Sequence, residues 1–147
     1  MSGSRQPVTI LMADDDDADV MLARKALAEV RLANDFHHVR DGQELLDYLY
    51  REGRYGADTP RPALVLLDLN MPVMDGRQAL ERIKADPSLR RIPVIVLTTS
   101  KAEEDIVRTY ELGCNSYITK PVTFEGLVQA MKVVESYWLE IVTLPGG

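Results

Sequence analysis

Five side chains in this 147-residue chain carry chemistry that makes sense only if they meet. Asp14 and Asp15 follow the apolar run Val8 to Ala13, Asp68 follows Ala63 to Leu67, Thr98 follows Val94 to Leu97, and Lys120 follows Tyr117-Ile118-Thr119. Three carboxylates held close together repel one another, and a hard, oxygen-ligated cation such as Mg²⁺ is the usual way to neutralise them. A lysine and a hydroxyl beside that cation are donors for an anion. The set suits a phosphoryl group, whose transfer is catalysed by positioning and charge neutralisation, with a carboxylate oxygen as nucleophile. The Asp run and the lysine, each taken alone, have plainer explanations. A run of Asp after a strand caps a helix, and Asp16 or Asp17 fits that role. An isolated Lys120 is a solvated lysine or an ion-pair partner of a strand-end Asp. Asp68 resists such a reading, because an unpaired carboxylate beside Leu66 and Leu67 is costly to bury.

The elements that must bring these residues together are legible as alternating patterns. Dense apolar runs at Val8 to Ala13, Phe36 to Val39, Ala63 to Leu67, Val94 to Leu97 and Tyr117 to Ile118 predict five strands. The third and fourth are apolar at successive positions, as in central strands of a parallel sheet covered on both faces, and the second and fifth lie nearer an edge. Helical spacing appears in Val20, Ala23, Leu27 and Val30, then in Leu45, Leu46 and Leu49 with Asp41 as cap. A third helix runs from Gly76 to about Ala85, a fourth from Glu103 to Leu112 before Gly113, and a fifth starts near Thr123. This is the α/β class, a (βα)5 doubly wound five-stranded parallel sheet with right-handed crossovers. Ligands of such sheets bind at the carboxyl ends of the strands, where all five residues fall. Gly53 to Pro62 reads as a surface excursion.

Composition excludes other classes. Acidic residues outnumber Lys plus Arg by 23 to 17, a net charge of -6 that disfavours a nucleic-acid ligand. No stretch is apolar enough to span a bilayer and residues 1–7 are polar, so no membrane association is expected and a cytoplasmic protein is. The single cysteine, Cys114, forms no internal disulfide and reads as a small buried residue. His37 and His38 project to opposite faces of a strand and do not share a metal. Neither GxxxxGK[ST] nor GxGxxG follows a strand.

The motifs Ile10-Leu11-Met12-Ala13-Asp14-Asp15, Leu66-Leu67-Asp68-Leu69-Asn70-Met71-Pro72-Val73-Met74-Asp75-Gly76, Pro93 to Ser100 and Tyr117-Ile118-Thr119-Lys120-Pro121 occur in that order. In them the chain resembles the receiver domains of two-component response regulators, of flavodoxin-like fold, over residues 7–135. The resemblance implies that Asp68 accepts a phosphoryl group from the phosphohistidine of a sensor histidine kinase. It implies Mg²⁺ held by Asp15 and Asp68 and by the Asn70 carbonyl, with Asp14 acting mainly through water. Lys120 would bond the phosphoryl oxygens, Thr98 would move toward them, and Tyr117 would rotate into the space left, a two-state switch driven by a new charge. Pro121 resembles a cis-proline position, Gly76 a position of permissive backbone, and Asn70 and Ser100 positions that tune phosphoryl lifetime. Asp16-Asp17-Ala18-Asp19, Leu97 to Asp105, the insertion at 53–62 and Tyr137-Trp138-Leu139 resemble the single-domain regulators that partner bacterial phytochromes. The protein is then a phosphoacceptor and not an enzyme, beyond assisting its own phosphorylation and dephosphorylation. The competing reading, an aspartyl-nucleophile phosphatase on a Rossmann-like sheet, calls for a second Asp where Asn70 stands.

Residues 136–147 are expected to extend the fifth helix as a tail, with no separate output domain. Phe124, Leu127, Met131, Val134, Trp138 and Ile141 form one apolar stripe, and Ala130, Val133 and Tyr137 a second beside it. One stripe covers the sheet, and the other predicts a homodimer through helix 5 and its extension, Trp138 included.

Overall fold

A computed structural model describes residues 8–30 and 34–143, and the side chains of 8–30 and 35–136. The chain runs β1 (Val8–Ala13), α1 (Asp17–Ala28), β2 (Asn34–Val39), α2 (Gly42–Tyr50), β3 (Leu64–Leu67), α3 (Gly76–Ala85), β4 (Val94–Thr98), α4 (Glu103–Leu112), β5 (Ser116–Thr119) and α5 (Phe124–Thr143). All pairings are parallel, in the order β2-β1-β3-β4-β5. The order reverses between β1 and β3, so the crevice where such sheets bind ligands opens at the ends of those two strands. Asp14 and Asp68 stand there.

Alternation of side chains along buried strands divides the core in two. Val65, Leu67 and Val96 face Leu45 and Leu46 of α2 and Leu80 and Ile83 of α3. Leu64, Leu66, Ile95 and Leu97 face Val20, Ala23 and Leu27 of α1 and Leu127, Met131 and Val134 of α5. Each fully buried Leu, Ile or Val contributes about 1.5–3 kcal/mol. Every residue of β3 and β4 is buried, in agreement with their central place.

Three aspartates set the helix starts. Asp16 accepts from the N–H groups of Ala18 and Asp19, Asp41 from that of Glu44, and Asp75 from that of Gln78 in a reciprocal capping box. The Asp75 cap is hidden in sequence by the motif it belongs to. Strand limits move by a residue or two. β2 begins at Asn34, β5 spans Ser116–Thr119, and Thr98 belongs to β4, because ladder hydrogen bonds extend past the apolar residues that mark the strands. β3 begins at Leu64, although the Ala63 N–H still donates to Thr9 O at 2.8 Å.

α5 departs further from its pattern. Leu127, Met131 and Val134 are buried as expected, but Ala130 of the second stripe is buried with them, and Phe124 is 40% and Val133 57% exposed. The core-facing arc is therefore wider and rotated. Side chains of Tyr137, Trp138, Leu139 and Ile141 lie outside the described residues. Cys114 is buried, and desolvation pushes its thiol pKa up. α4 is the most lightly seated helix: its one buried residue is Thr109, whose hydroxyl donates to Asp105 O at 2.8 Å within the helix.

Candidate functional site

The carboxyl ends of β1, β3, β4 and β5 bring together Asp14, Asp68, Thr98 and Lys120, all but the lysine fully or almost fully buried. Asp14 is fixed from three sides. Its N–H donates to Val39 O at 3.0 Å, its Oδ1 accepts from the Asp16 N–H at 2.9 Å, and its carbonyl lies 2.7 Å from His38 Nε2. A carbonyl only accepts, so that contact makes Nε2 the protonated nitrogen of His38. Asp14 Oδ2 has Lys120 Nζ at 2.7 Å as an ion-pair neighbour but accepts no aligned hydrogen bond. Burial, the largest influence, raises the Asp14 pKa against the opposing pull of Lys120.

Asp68 Oδ1 accepts a long bond from the Asn70 N–H at 3.4 Å, and Asp68 Oδ2 has Lys120 Nζ at 3.5 Å. Oxygens of Asp14, Asp15 and Asp68 all lie within 4.8 Å of one another, with Asp15 exposed and the other two buried. Three hard oxygen donors, one with an orphaned buried atom, fit a divalent cation. Thr98 is wholly buried, and its Oγ1 accepts from the Ser100 N–H at 3.5 Å. The Tyr117 hydroxyl donates to Ser100 O at 3.0 Å, so the loop after Thr98 is joined to the tyrosine on β5.

The loop after Asp68 is shaped by close approach. A Cβ on Gly76 would stand 2.2 Å from Asp68 O, and one on Gly42 would stand 2.4 Å from Met74 O. Gly76 is thus required for space; the left-handed backbone expected there falls instead on Val73, at φ 67°. Met74 N–H donates to Pro72 O at 2.7 Å around Val73, a tight γ-turn. The Lys120-Pro121 bond is trans, since no cis peptide occurs among the described residues. Lys120 is aimed inward by its own bonds, its N–H donating to Thr98 O at 2.7 Å and its ammonium pairing with carboxylates.

Two participants escaped the sequence reading. Asp19 of α1 pairs with Lys120 at 2.7 Å, and burial of the ammonium, which alone would lower its pKa, is outweighed by Asp14, Asp19 and Asp68, which hold it above the usual lysine range. The signal was helical register: with Asp16 as cap, residue 19 lies one turn on, beside buried Val20. The second is a clasp in which Arg77 donates two bonds of 2.7 Å to Asp105, which also accepts from the Ser100 hydroxyl at 2.7 Å. The Arg77 and Ser100 bonds hold the Asp105 carboxyl at about 2.

The response regulator receiver domain family matches residues 10–132. Response regulator Rcp1 of Synechocystis sp. is 43% identical over 144 residues, covering 98% of this chain and 97% of Rcp1. The crystal structure of the phosphorylated cyanobacterial phytochrome response regulator RcpA superposes with a TM-score of 0.86 at 45% identity, over 96% of this chain and 100% of that one. The Mn²⁺-bound form of Rcp1 superposes with a TM-score of 0.85 at 43% identity, over 95% and 100%. No helix among the described residues is long and apolar enough to cross a membrane. A doubly wound sheet with its acidic pocket at the β1/β3 switch point, and relatives that share nearly its whole length, place this chain in the response regulator receiver domain family.

Proposed function

We propose that the protein is a phosphoacceptor of two-component signalling in which Asp68 takes the phosphoryl group of a sensor histidine kinase. The observation that carries this reading is the buried Asp68 carboxylate, grouped within 4.8 Å of Asp14 and Asp15 and facing Lys120 at 3.5 Å. An Asp68 oxygen attacks phosphorus, the bond from phosphorus to the kinase histidine nitrogen breaks, and the nitrogen keeps that electron pair. Lys120 offers an N–H to the phosphoryl oxygens, and Thr98 adds its hydroxyl by moving toward them. Asp14, Asp15 and Asp68, with the Asn70 carbonyl, would hold Mg²⁺, which supplies charge neutralisation at the transferring group. Hydrolysis of the acyl phosphate uses the same groups, so the chain assists its own phosphorylation and dephosphorylation and has no further catalytic role.

The kinase we propose is a bacterial phytochrome, on the strength of the likeness to RcpA along the whole chain. Residues 7–135 form the receiver unit in this reading, and 136–147 lengthen α5 as a dimerising tail. Exposed Val133 supports pairing of two copies through α5, in the cytoplasm, with output by protein contact and not by nucleic acid. Movement of Thr98 draws the Ser100 loop with it, and the Tyr117 hydroxyl, bonded to Ser100 O, must follow.

The test is phosphorylation with Mg²⁺ and acetyl phosphate. One acid-stable, base-labile phosphoryl group is expected, and it should vanish in Asp68→Asn; labelling that survives this substitution refutes the assignment.

A further inference from the structure

We infer that Asp19 is a positioning residue which holds the Lys120 ammonium so that one N–H is left facing the phosphoacceptor. This rests on the role proposed above for Asp68. An ammonium has three N–H donors. Here one is spent on Asp19 Oδ2 at 2.7 Å, an aligned bond of the length charge-assisted pairs adopt. A second is held in the ion pair to Asp14 Oδ2, also 2.7 Å long but poorly aligned. The third reaches toward Asp68 Oδ2, and at 3.5 Å it is too long to be a strong bond. The lysine therefore has two anchors and one under-used donor, and that donor points where phosphoryl oxygens would arrive.

Asp19 is the better aligned anchor, and it lies 101 residues away in sequence, on a different element from the other site carboxylates. It is also the only one of the three lysine partners to be partly solvated, with 35% of its side chain exposed against 0% for Asp14 and 7% for Asp68. A pairing this specific has no need of metal or phosphoryl to form. Without Asp19 the ammonium retains only Asp14 and Asp68, because the cleft of about 70 Å³ on its other side is lined by Leu22, Val122 and Phe124 and has no carboxylate but that of Asp19.

The alternative role for Asp19 is simple charge, an acidic residue favoured in the first turn of α1. The two roles differ in sign. Removing a negative charge near the pocket favours an incoming anion, whereas removing an anchor of Lys120 disfavours it.

A double-mutant cycle decides between them, read as the affinity for beryllofluoride in the presence of Mg²⁺. Asp19→Ala should weaken binding about tenfold in the wild-type background. In Lys120→Ala the same change should produce no weakening. Equal or tighter binding by Asp19→Ala, or equal weakening in both backgrounds, overturns the proposal. Asp19→Asn, which keeps shape and a neutral acceptor, should fall between, and stands in if the alanine variant folds poorly. A crystal structure of the variant supplies a readout that needs no phosphoryl chemistry: Lys120 Nζ should move away from the position of residue 19 and close on Asp14 and Asp68, and an unmoved ammonium refutes the anchor role. Failure of wild type to bind beryllofluoride, or binding unaltered by Asp68→Asn, would instead refute the role of Asp68, while the position of Lys120 in the variant still judges Asp19.

Discussion

At the residue scale, the site depends on where one ammonium points. Lys120→Ala and Thr98→Ala should each still be phosphorylated on Asp68 while losing most of the change in Tyr117 environment, as followed by tyrosine resonances with and without beryllofluoride. An unchanged Tyr117 response in Thr98→Ala would break the proposed link through Ser100. Val73 offers a test of stability: a β-branched residue at φ 67° is strained, and the residue is 83% exposed, so little packing is lost on replacement. Val73→Asn should stabilise the fold by about 1 kcal/mol in urea unfolding. Asp14, Asp15, Asp68, Thr98 and Lys120 were legible because each ends an apolar run, and strand ends in a doubly wound sheet share one edge. Asp19 was not, because helix caps and site carboxylates look alike in a run of aspartates. The strain at Val73 was invisible as well, since nothing in a Pro-Val-Met sequence announces a γ-turn.

Among the elements, α4 is the one that polar contacts must hold. With Thr109 its only buried residue, and Val107 and Tyr110 about half exposed, it leans on the Arg77–Asp105–Ser100 clasp. Asp105→Asn should cost roughly 1–2 kcal/mol, measured by chemical unfolding at neutral pH. The pH dependence follows from the lowered pKa. Asp105 falls from 3.8 to about 2 on folding, so its stabilisation is complete above about pH 4 and fades as pH drops toward 2. The gap between wild type and Asp105→Asn should therefore close over that range; a constant gap would mean that the carboxylate charge is irrelevant. The existence and type of all ten elements could be read from periodicity and caps. Their tertiary attachment could not: α4 has helical spacing as clear as that of α3, yet only one of them is well buried. The orientation of α5 was misjudged for the same reason, because Ala130 and Val133 are equivalent in a pattern and opposite in burial.

For the whole molecule, the net charge of -6 is unevenly spread, with five acidic residues between Asp14 and Asp19. Relieving that density should stabilise the fold. Mg²⁺ should raise the thermal midpoint, the stabilisation growing with the logarithm of its concentration and reaching about 2.7 kcal/mol at a hundredfold excess over its dissociation constant. Asp15→Asn should abolish most of the rise, which calorimetry against a sodium chloride control of equal ionic strength would show. A rise that matches the control would mean screening alone. The run of aspartates is plain in the sequence, and what topology adds is Asp68 and Lys120 at the same sheet edge.

The pairing of Lys120 with Asp19 spans most of the chain, and it has a bearing on how the protein is made. Synthesis runs from the N-terminus, so Asp14, Asp68 and the first three βα units leave the ribosome well before Lys120 does. An unfinished chain carries the acidic residues but lacks their lysine and the last edge of the sheet. The lysine and the tyrosine through which a phosphoryl group would be felt are thus in place only once β5 has been added beside β4, near the end of translation, and a nascent chain cannot relay the signal.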